Sequence, residues 1–453
     1  MEQFIIDAAN FVWGTPLLVL LLGGGIFFTV FSRLLPVRYF LHAINVLRGN
    51  YDESSGTGEI SHFEALSSHL AATVGMGNIS GVAVAIAAGG PGAIFWMWVS
   101  AVFGMTTKFF TCTLAVMYRG NDSDGKIQGG PMYVIREGMG KRWKPLAVFF
   151  CVAGLFAATP IFQTNQLVQV TKDILLTPNG WNGENELAVN LSIGLLITIF
   201  TGVVIFGGIE RIGRVAGRLV PAMVVLYLGG VVFILMNNFS DILPTFLLII
   251  QDAFSANAAL GGAVGAIIIT GARRAAFSNE AGIGTAPMMH GAAKTSEPVR
   301  EGLVAMLGPF IDTIIICTLT GLSILITGVW KSGDLNGISL TVKAFELSMP
   351  VIGPYILAVC VLIFAFTTIF GTSYYGKKCL SFLIGARYGK YFNYWYVAII
   401  VVGSVSSLAA VVSLIDFMYA MMAFPTMISA VYLAPRVMKE AKRYFGKLDK
   451  PSG

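Results

Sequence analysis

Residues 67–81 read Ser-Ser-His-Leu-Ala-Ala-Thr-Val-Gly-Met-Gly-Asn-Ile-Ser-Gly, and this stretch decides the fold. It lies within an apolar segment, residues 63–89, that is long enough to cross roughly 30 Å of bilayer hydrocarbon as a helix. Gly75 and Gly77 flank one residue roughly 18 to 22 Å along that helix, near the bilayer centre, and glycine weakens a helix there. Polar neighbours such as Asn78 can bond the backbone groups that unwinding frees. We therefore predict a transmembrane helix that is interrupted from Gly75 to Asn78.

Two interpretations of the glycines are open at this point. An interrupted helix in a transporter offers N-terminal amides to a carboxylate and free carbonyls to an ammonium group or Na⁺. Alternatively, Gly77 and Gly81 form a small-xxx-small pair that lets another helix pack closely.

The composition places the whole chain in a membrane. Of the 453 residues, 55% are hydrophobic and only 12% are charged, which is more apolar than a soluble domain of this size. The apolar runs are continuous and do not alternate with polar residues, so they indicate helices and not a barrel. The five cysteines have no paired spacing that would indicate a metal site or a disulfide framework. No cleavable signal peptide is predicted, because Glu2 and Asp7 precede the first apolar run.

Eleven segments have the length and hydrophobicity of a transmembrane helix. They are residues 14–31, 63–89, 92–117, 146–168, 187–207, 213–236, 245–270, 302–328, 351–374, 394–413 and 414–434.

The distribution of basic residues orients these spans. If the amino terminus is outside, all of the 30 Lys and Arg residues lie on the cytoplasmic side except Lys172, Lys331 and Lys343. Lys108 and the Arg273–Arg274 pair are then predicted to be cytoplasmic. The formal net charge of +6 is then explained by contact with anionic lipid, and nucleic acid is not an expected partner.

A resemblance to a known family begins at residues 89–101, Gly-Gly-Pro-Gly-Ala-Ile-Phe-Trp-Met-Trp-Val-Ser-Ala. This string resembles the signature of the alanine or glycine:cation symporters, also called the sodium:alanine symporter family. Residues 71–78 look like the first core helix of that family, and residues 277–284 and 310–313 resemble two further family stretches. The family in turn resembles the leucine-transporter fold of the APC superfamily, in which two inverted five-helix repeats surround a central site.

The resemblance implies an all-α membrane protein with one extra N-terminal helix and a 5+5 inverted repeat. The expected units are an extra helix with a cytoplasmic loop at 1–62, repeats at 63–236 and 245–434, and a basic cytoplasmic tail at 435–453. In this arrangement the second and seventh spans run in opposite directions, as inverted repeats require.

The resemblance also implies where substrate and ion bind. The backbone of Thr73, Gly75 and Gly77 would face the charged ends of the substrate. The Thr73 carbonyl and the Asn78 side chain would face Na⁺. The carbonyls of Ala71 and Val74 would form a second ion position, to be completed by Thr367 and Thr368. Oxygen ligands of this kind suit a hard monovalent cation, although Asn78 could instead cap a helix, and threonines in spans often bond their own helix.

Further candidates come from polar residues inside other spans. Asp312 lies roughly 15 Å into the eighth span, where a carboxylate costs about 2.5 to 3.5 kcal/mol and needs a partner. It could bind the cation, carry a proton, or pair with Arg274 or with a neighbouring amide. Gln163 and Asn165 in the fourth span could bind substrate or ion, or join helices. Thr159–Pro160 replaces the Gly-Asn that family members carry before this glutamine.

The interruption of the seventh span has two candidate positions. Gly261–Gly262 and Thr270–Gly271 both qualify, and we predict that Thr270 and Gly271 face the substrate. The following Arg273–Arg274 pair and residues 278–280, Ser-Asn-Glu, are expected to form a cytoplasmic gate or loop. Asp252 and Asp416 are expected to be interfacial acids.

The function implied by the resemblance is symport of Na⁺ with alanine or glycine by alternating access across the plasma membrane. The carboxyl terminus would be cytoplasmic, and the expected partners are the amino acid, Na⁺ and membrane lipid. We expect a monomer without an organic cofactor and without enzymatic activity. One rival is H⁺ coupling through Asp312. A membrane enzyme is disfavoured because no HExxH, GxSxG, Walker or CxxC pattern occurs and the four histidines are scattered in sequence, and a passive channel is disfavoured because no ring-forming repeat occurs.

Overall fold

A computed structural model describes residues 2–51, 56–181, 183–254 and 263–448, which are almost entirely helical. The first part of the chain forms α1 Glu2–Val12, α2 Thr15–Phe31, α3 Leu35–Arg38, α4 Phe40–Leu47, α5 His62–Thr73, α6 Gly77–Gly89 and α7 Gly92–Met117. A short hairpin of β1 Gly120–Asn121 and β2 Ile127–Gln128 precedes α8 Pro131–Tyr133, α9 Lys144–Ala157, α10 Ile161–Thr171, α11 Glu186–Ile205 and α12 Gly208–Asn237.

The remaining helices follow a sharp turn at Asn238. They are α13 Phe239–Ala253, α14 Ala263–Asn279, α15 Thr285–His290, α16 Pro298–Ile326, α17 Ile338–Ser348, α18 Ile352–Ile384, α19 Ala386–Gly389, α20 Phe392–Val405 and α21 Leu408–Leu448. Several helices contain a π turn, including α6 at Gly77–Gly81 and α16 at Phe310–Cys317.

Six helical stretches in the described part of the chain are long and apolar enough to cross a membrane, and three bent pairs raise that number to at most nine. Predicted spans 92–117, 146–168, 187–207, 302–328, 351–374 and 414–434 each fall on one of the six. Spans 14–31, 63–89 and 213–236 fall on the bent pairs. The span at 394–413 corresponds to a helix of 14 residues, Phe392–Val405. The chain is therefore an integral, multi-pass, all-helical membrane protein, and the count of eleven stays a prediction.

Outward-facing side chains support this membrane assignment. Large apolar residues of α11, such as Leu195, Ile199, Phe200 and Val203, are exposed on the surface of the monomer. Water would disfavour such a continuous apolar surface, whereas lipid hydrocarbon accommodates it.

The predicted span at 245–270 is wrong as a single helix. Helix α13 turns by 98° from the end of α12 and reaches only to Ala253, and α14 starts at Ala263. The physical reason is that α13 is amphipathic: Phe239, Leu243 and Leu247 are exposed on one face, as in a helix that lies along an interface.

Helices α5 and α6 form a broken span that packs antiparallel to α14 and α15. A Cβ atom built on Gly89 would lie 3.1 Å from the Thr270 side chain, whereas one built on Gly77 would lie 3.5 Å from Phe277. The chains thus run in opposite directions, with α6 beside α14 and α5 beside α15. Helices α7 and α16 are antiparallel too, since Ile94 lies near Gly321 and Thr113 near Gly302.

Candidate functional site

The helix interruption predicted at Gly75–Asn78 is confirmed, and it is centred on Val74 to Met76. Helix α5 begins with a capping box in which Ser61 and Glu64 bond each other's backbone, and it ends at Thr73. Val74 is extended, with φ −69° and ψ 99°. Helix α6 then leaves at an angle of 57°. The close-packing interpretation also holds, because Gly77 and Gly81 face the ring of Phe277.

The interruption diverts two backbone N–H groups from their usual partners. The Gly75 N–H donates to Asn78 Oδ1 at 2.9 Å, and the Asn78 N–H donates to the Gly75 carbonyl at 3.1 Å. In a continuous α-helix these two N–H groups would bond to the carbonyls of Ala71 and Val74. Those carbonyls, which are the predicted second ion position, therefore lose their regular helical partners.

A buried hydroxyl faces this interruption. Thr368 on α18 is 4% exposed, and its Oγ1 has no hydrogen-bond partner in the described part of the chain. A Cβ atom built on Gly75 would collide with that Oγ1. The neighbouring Thr367 differs, because its hydroxyl bonds to the carbonyls of Ile363 at 2.9 Å and Phe364 at 3.1 Å on its own helix. Of the two predicted threonine ligands, only Thr368 has a hydroxyl available.

Asp312 on α16 is buried and joins the two broken spans. Its Oδ1 accepts from Asn78 Nδ2 at 2.8 Å, and its Oδ2 accepts from Ser278 Oγ at 2.6 Å and Thr313 Oγ1 at 2.8 Å. These donors compensate the cost of burying the carboxylate. Of the two suggested pairings of Asp312, the one with Arg274 is not observed, whereas the one with a neighbouring amide is, through Asn78. The Asn78 side chain bonds the Gly75 N–H at the interruption and Asp312 on α16. This is the bond to a neighbouring helix considered from sequence, whereas no side-chain hydrogen bond caps α6.

A narrow cavity lies beside the interruption, between the two broken spans and helices α9, α10, α18 and α21. The space open to the centre of a water molecule is about 20 Å³, enough for about one water. Predicted site residues in its wall are Thr73, Gly77, Gln163 and Thr368, and other lining residues are Ala72, Ala157, Thr159, Phe162, Phe277, Glu280, Thr372, Ile415 and Tyr419. The cavity admits no amino acid unless the surrounding helices move.

Glu280 corrects the expectation of a cytoplasmic gate at residues 278–280. It is 3% exposed, lines the cavity, and accepts hydrogen bonds from Tyr419 OH at 2.9 Å and from Thr285 Oγ1. Its φ of +56° is left-handed, which costs a non-glycine residue about 1 to 3 kcal/mol and is frequent at functional sites. The sequence pattern that could have located this turn is Gly282-Ile283-Gly284, which repeats the Gly-x-Gly spacing of the first interruption.

The prediction of a seventh-span interruption at Thr270–Gly271 is wrong. Helix α14 continues through both residues to Asn279, and the chain turns at Glu280. Gly271 is small because Trp96 packs against it: a Cβ atom there would lie 2.5 Å from Trp96 Cβ. Neither Thr270 nor Gly271 lines the cavity. The other candidate, Gly261–Gly262, lies outside the described residues.

The two candidate binding residues of the fourth span, Gln163 and Asn165, have different surroundings. Gln163 lines the cavity, and its buried Oε1 has no partner among the described residues. Asn165 instead joins helices, because its Nδ2 donates to the Ser406 carbonyl at 2.6 Å. Gln166, which was not predicted, accepts from Ser80 Oγ and from the Ile338 N–H at 3.1 Å, and so ties α6 to α17.

Ionic contacts close one end of the site. Asp416 at the start of α21 is fully buried and pairs with Arg273, at 2.6 Å, and with Arg274 on α14. The indole N–H of Trp13 donates to the Asp416 carbonyl at 2.8 Å. The expectation of an interfacial Asp416 is therefore wrong. The assignment of Arg273 and Arg274 to the cytoplasmic side conflicts with the predicted outer position of Asp416, since the three side chains lie at one level.

The opposite end is closed by a different contact. Lys378 on α18 is buried, and its Nζ donates to the carbonyl of Met288 on α15 at 2.7 Å and to that of Gly129 at 3.3 Å. The cavity thus lies between two sets of polar contacts, and the helices that form its walls also pack through apolar side chains such as Phe162 and Phe277.

Comparisons with known proteins agree along the whole chain. A family model described as "Sodium:alanine symporter family" matches residues 1–452. The chain is 40% identical over 444 residues to "Sodium/alanine symporter AgcS" of Methanococcus maripaludis. The aligned region covers 96% of this chain and 95% of that protein. It is 39% identical over 455 residues to an "Uncharacterized transporter" of Haemophilus influenzae, with coverage of 99% and 97%. It is 35% identical over 446 residues to "Probable sodium/glutamine symporter GlnT" of Bacillus subtilis, with coverage of 98% and 91%.

Proposed function

This chain belongs to the sodium:alanine symporter family, and we propose that it couples the entry of Na⁺ to the uptake of alanine or glycine by alternating access. The observation that carries the proposal is the cavity between the broken helix α5–α6 and the antiparallel pair α14–α15. It lies beside the interruption, and the Thr159 and Thr368 hydroxyls in its wall have no partner among the described residues.

The proposed ion position consists of the carbonyls of Ala71 and Val74 and the hydroxyl of Thr368. Neutral oxygens suit Na⁺, because a hard monovalent cation needs several dipoles and little charge. Thr367 leaves the predicted set, since its hydroxyl is bonded to its own helix. The Thr73 carbonyl, with the bonded Asn78 and Asp312 side chains beside it, is the proposed second cation position.

The proposed amino-acid position is the cavity itself. The first N–H groups of α6, at Gly77, would receive the carboxylate, because the start of a helix carries partial positive charge. The ammonium group would bind Glu280 and the free Oε1 of Gln163. Phe162 and Phe277, whose ring centroids are 4.9 Å apart, limit the length of the side chain, which favours alanine and glycine over larger amino acids.

The proposed architecture is the leucine-transporter type, with an extra helix at the amino terminus and two inverted repeats. The second repeat would start near α14, at residue 263, and not at residue 245, because each repeat then opens with a broken helix. The antiparallel pairing of α5–α6 with α14–α15 and of α7 with α16 supports this. In the plasma membrane, the Arg273, Arg274 and Asp416 contacts would close the outer side and the Lys378 contacts the cytoplasmic side, with the carboxyl terminus in the cytoplasm.

Proton coupling is the second candidate, and the structure changes the residue that would carry it. Glu280 lines the cavity, whereas Asp312 does not. A proton carrier must exchange its proton with the transport pathway, so Glu280 replaces Asp312 in this alternative.

Uptake of labelled alanine into proteoliposomes tests the proposal. An inward Na⁺ gradient at equal pH on both sides should drive accumulation above equilibrium, and unlabelled glycine should compete while glutamine does not. Replacing Na⁺ by K⁺ serves as the control. Accumulation that requires an inward H⁺ gradient, and is indifferent to Na⁺, would refute sodium coupling and favour the alternative.

A further inference from the structure

One polar side chain in the cavity wall has no role in the site described above. Thr159, which lies between α9 and α10, is 3% exposed and lines the cavity. Its Oγ1 has no hydrogen-bond partner among the described residues. Burying a hydroxyl without a partner costs free energy. A buried, unpaired hydroxyl beside a cavity therefore indicates contact with a molecule that enters the cavity.

The break between α9 and α10 explains why this hydroxyl is unpaired. Threonines inside membrane spans usually bond the carbonyl four residues earlier on their own helix, as Thr164 does with Pro160 at 2.9 Å. Helix α9 ends at Ala157 and α10 begins at Ile161, so Thr159 belongs to neither helix. Its hydroxyl therefore lacks the partner that an uninterrupted helix supplies.

The other hydroxyls in the described wall of the cavity are already engaged or assigned. Those of Thr73, Thr372 and Tyr419 each donate a hydrogen bond within the protein. The hydroxyl of Thr368 belongs to the proposed ion position. Thr159 is thus the hydroxyl in this wall that is left for the substrate.

The buried polar groups near the interruption but outside the cavity have partners within the protein. Lys108 on α7 is 1% exposed, and its Nζ lies 2.6 Å from Nε2 of the fully buried His69. The assignment of Lys108 to the cytoplasmic side is therefore wrong. His62 and His290 both bond Glu301 on α16 through Nδ1. None of these five side chains lines the cavity, so none of them is available to a molecule bound there.

Thr159 lies beside the part of the cavity proposed for the substrate side chain. Thr159, Phe162 and Gln163 fall within five consecutive residues, and all three line the cavity. In the proposed binding mode Gln163 accepts from the ammonium group, and the Phe162 ring limits the side chain. The β carbon of an amino acid is bonded to the carbon that carries the ammonium group. A hydroxyl on that β carbon therefore lies close to this part of the wall.

We propose that Thr159 is a specificity-determining residue that binds a hydroxyl group on the β carbon of the substrate, so that serine is a substrate in addition to alanine and glycine. The inference rests on the proposed uptake of small amino acids. A threonine hydroxyl donates one hydrogen bond and accepts others, so it pairs with a serine hydroxyl in either direction. Serine adds a single oxygen atom to alanine and so stays within the size limit set by Phe162 and Phe277.

Comparison with 2-aminobutyrate separates hydrogen bonding from size. This amino acid carries a methyl group where serine carries its hydroxyl, so the two have nearly the same shape. A methyl group beside Thr159 leaves the buried hydroxyl unpaired, and a site with an unpaired hydrogen-bonding group rejects such an analogue. A purely apolar pocket would instead favour 2-aminobutyrate, because burial of a methyl group is favourable and burial of an unpaired hydroxyl is not.

Competition against labelled alanine on the unmodified, purified protein is the first test. In NaCl, serine should displace alanine at about a tenfold lower concentration than 2-aminobutyrate, both added as racemates. Equal displacement, or stronger displacement by 2-aminobutyrate, would overturn the inference and leave the proposed uptake of alanine intact. Absence of sodium-dependent alanine binding would instead overturn the proposed function, and this inference with it.

Replacing the threonine is the second test. Thr159→Val exchanges the hydroxyl for a methyl group, and the ratio of the inhibition constants of 2-aminobutyrate and serine should fall from about ten to about one or below. Thr159→Ser keeps a hydroxyl and should keep the preference for serine. Thr164→Val is the matched control, because the Thr164 hydroxyl bonds to Pro160 and does not line the cavity. A ratio that is unchanged in Thr159→Val would assign the preference to another group and refute the role of Thr159.

Transport of serine is the third test. Labelled serine should accumulate in proteoliposomes under an inward Na⁺ gradient, and unlabelled alanine should compete with it. Serine that displaces alanine in the binding assay but does not accumulate would refute its assignment as a substrate.

Discussion

Replacing Thr368 by valine is expected to weaken Na⁺ binding by about 10- to 100-fold, because it removes one of three proposed oxygen ligands while nearly preserving side-chain volume. Loss of a hydrogen-bonding or ion-binding partner inside a protein costs about 1.5 to 3 kcal/mol. The Thr368 hydroxyl bonds to nothing else in the described residues, so its removal should leave thermal stability almost unchanged. Sodium-dependent alanine binding to the purified variant measures the effect.

Thr367→Val is the matched control on the same helix. Its hydroxyl bonds to Ile363 and Phe364, and we expect at most a twofold change in Na⁺ affinity. Gly75→Ala should reproduce the Thr368 effect, because the added methyl group displaces the Thr368 hydroxyl. The two substitutions combined should then be less than additive. Equal loss in Thr367→Val and Thr368→Val would contradict the proposed ion position.

The second large effect is expected from Asp416→Asn, which removes the carboxylate between Arg273 and Arg274. Leaving a buried cation without its partner costs about 3 to 5 kcal/mol. That cost applies to the closed conformation, because opening lets water solvate the guanidinium groups. The population should therefore shift toward the conformation that is open on the side of Asp416, by about 100-fold or more.

Thiol labelling can follow this shift. Thr159 lines the cavity, and the five native cysteines are buried, so Thr159→Cys gives a reporter for a membrane-impermeant maleimide. In the Thr159→Cys background, Asp416→Asn should raise the labelling rate of the introduced thiol at least tenfold, and only from one side of the membrane. This increase is expected if opening of the site limits the rate of labelling. Asp252→Asn is the control, since among the described residues Asp252 accepts only from the Gly92 N–H. Labelling that is no faster than in the Asp252→Asn control would show that the ionic contacts do not hold the site closed.

The sequence was sufficient to locate the first interruption and most of the long apolar helices. Two glycines that flank a single residue at the bilayer centre have few structural uses. The polar residues Asn78 and Thr73 beside them supported the interpretation that the helix is interrupted. Gln163 and Thr368 were candidates because isolated polar residues in apolar spans need partners, and both line the cavity; their binding roles stay predictions. The resemblance to a family supplied the pairing of Thr368 with the interruption, which spacing alone does not give.

The limits of the seventh span were harder to predict than its direction. A hydropathy window treats α13 and α14 as one apolar run, because it ignores which face of a helix is polar. Because that run was taken to end at residue 270, the prediction placed Arg273 and Arg274 on the cytoplasmic side and Glu280 in a cytoplasmic gate or loop. The contacts between His69 and Lys108 join residues 39 positions apart, and those between Arg274 and Asp416 join residues 142 apart. Such pairs follow from tertiary packing and leave no local pattern.

Direct observation of the bound ion is the most stringent test of the site. An electron cryo-microscopy reconstruction of the protein in lipid nanodiscs with NaCl and alanine should show a cation in contact with the Ala71 and Val74 carbonyls and Thr368 Oγ1. The amino acid should lie between Gly77 and Glu280, and a matched KCl sample should lack the cation. A continuous helix through Val74, or ion and amino acid both bound away from these residues, would contradict the account.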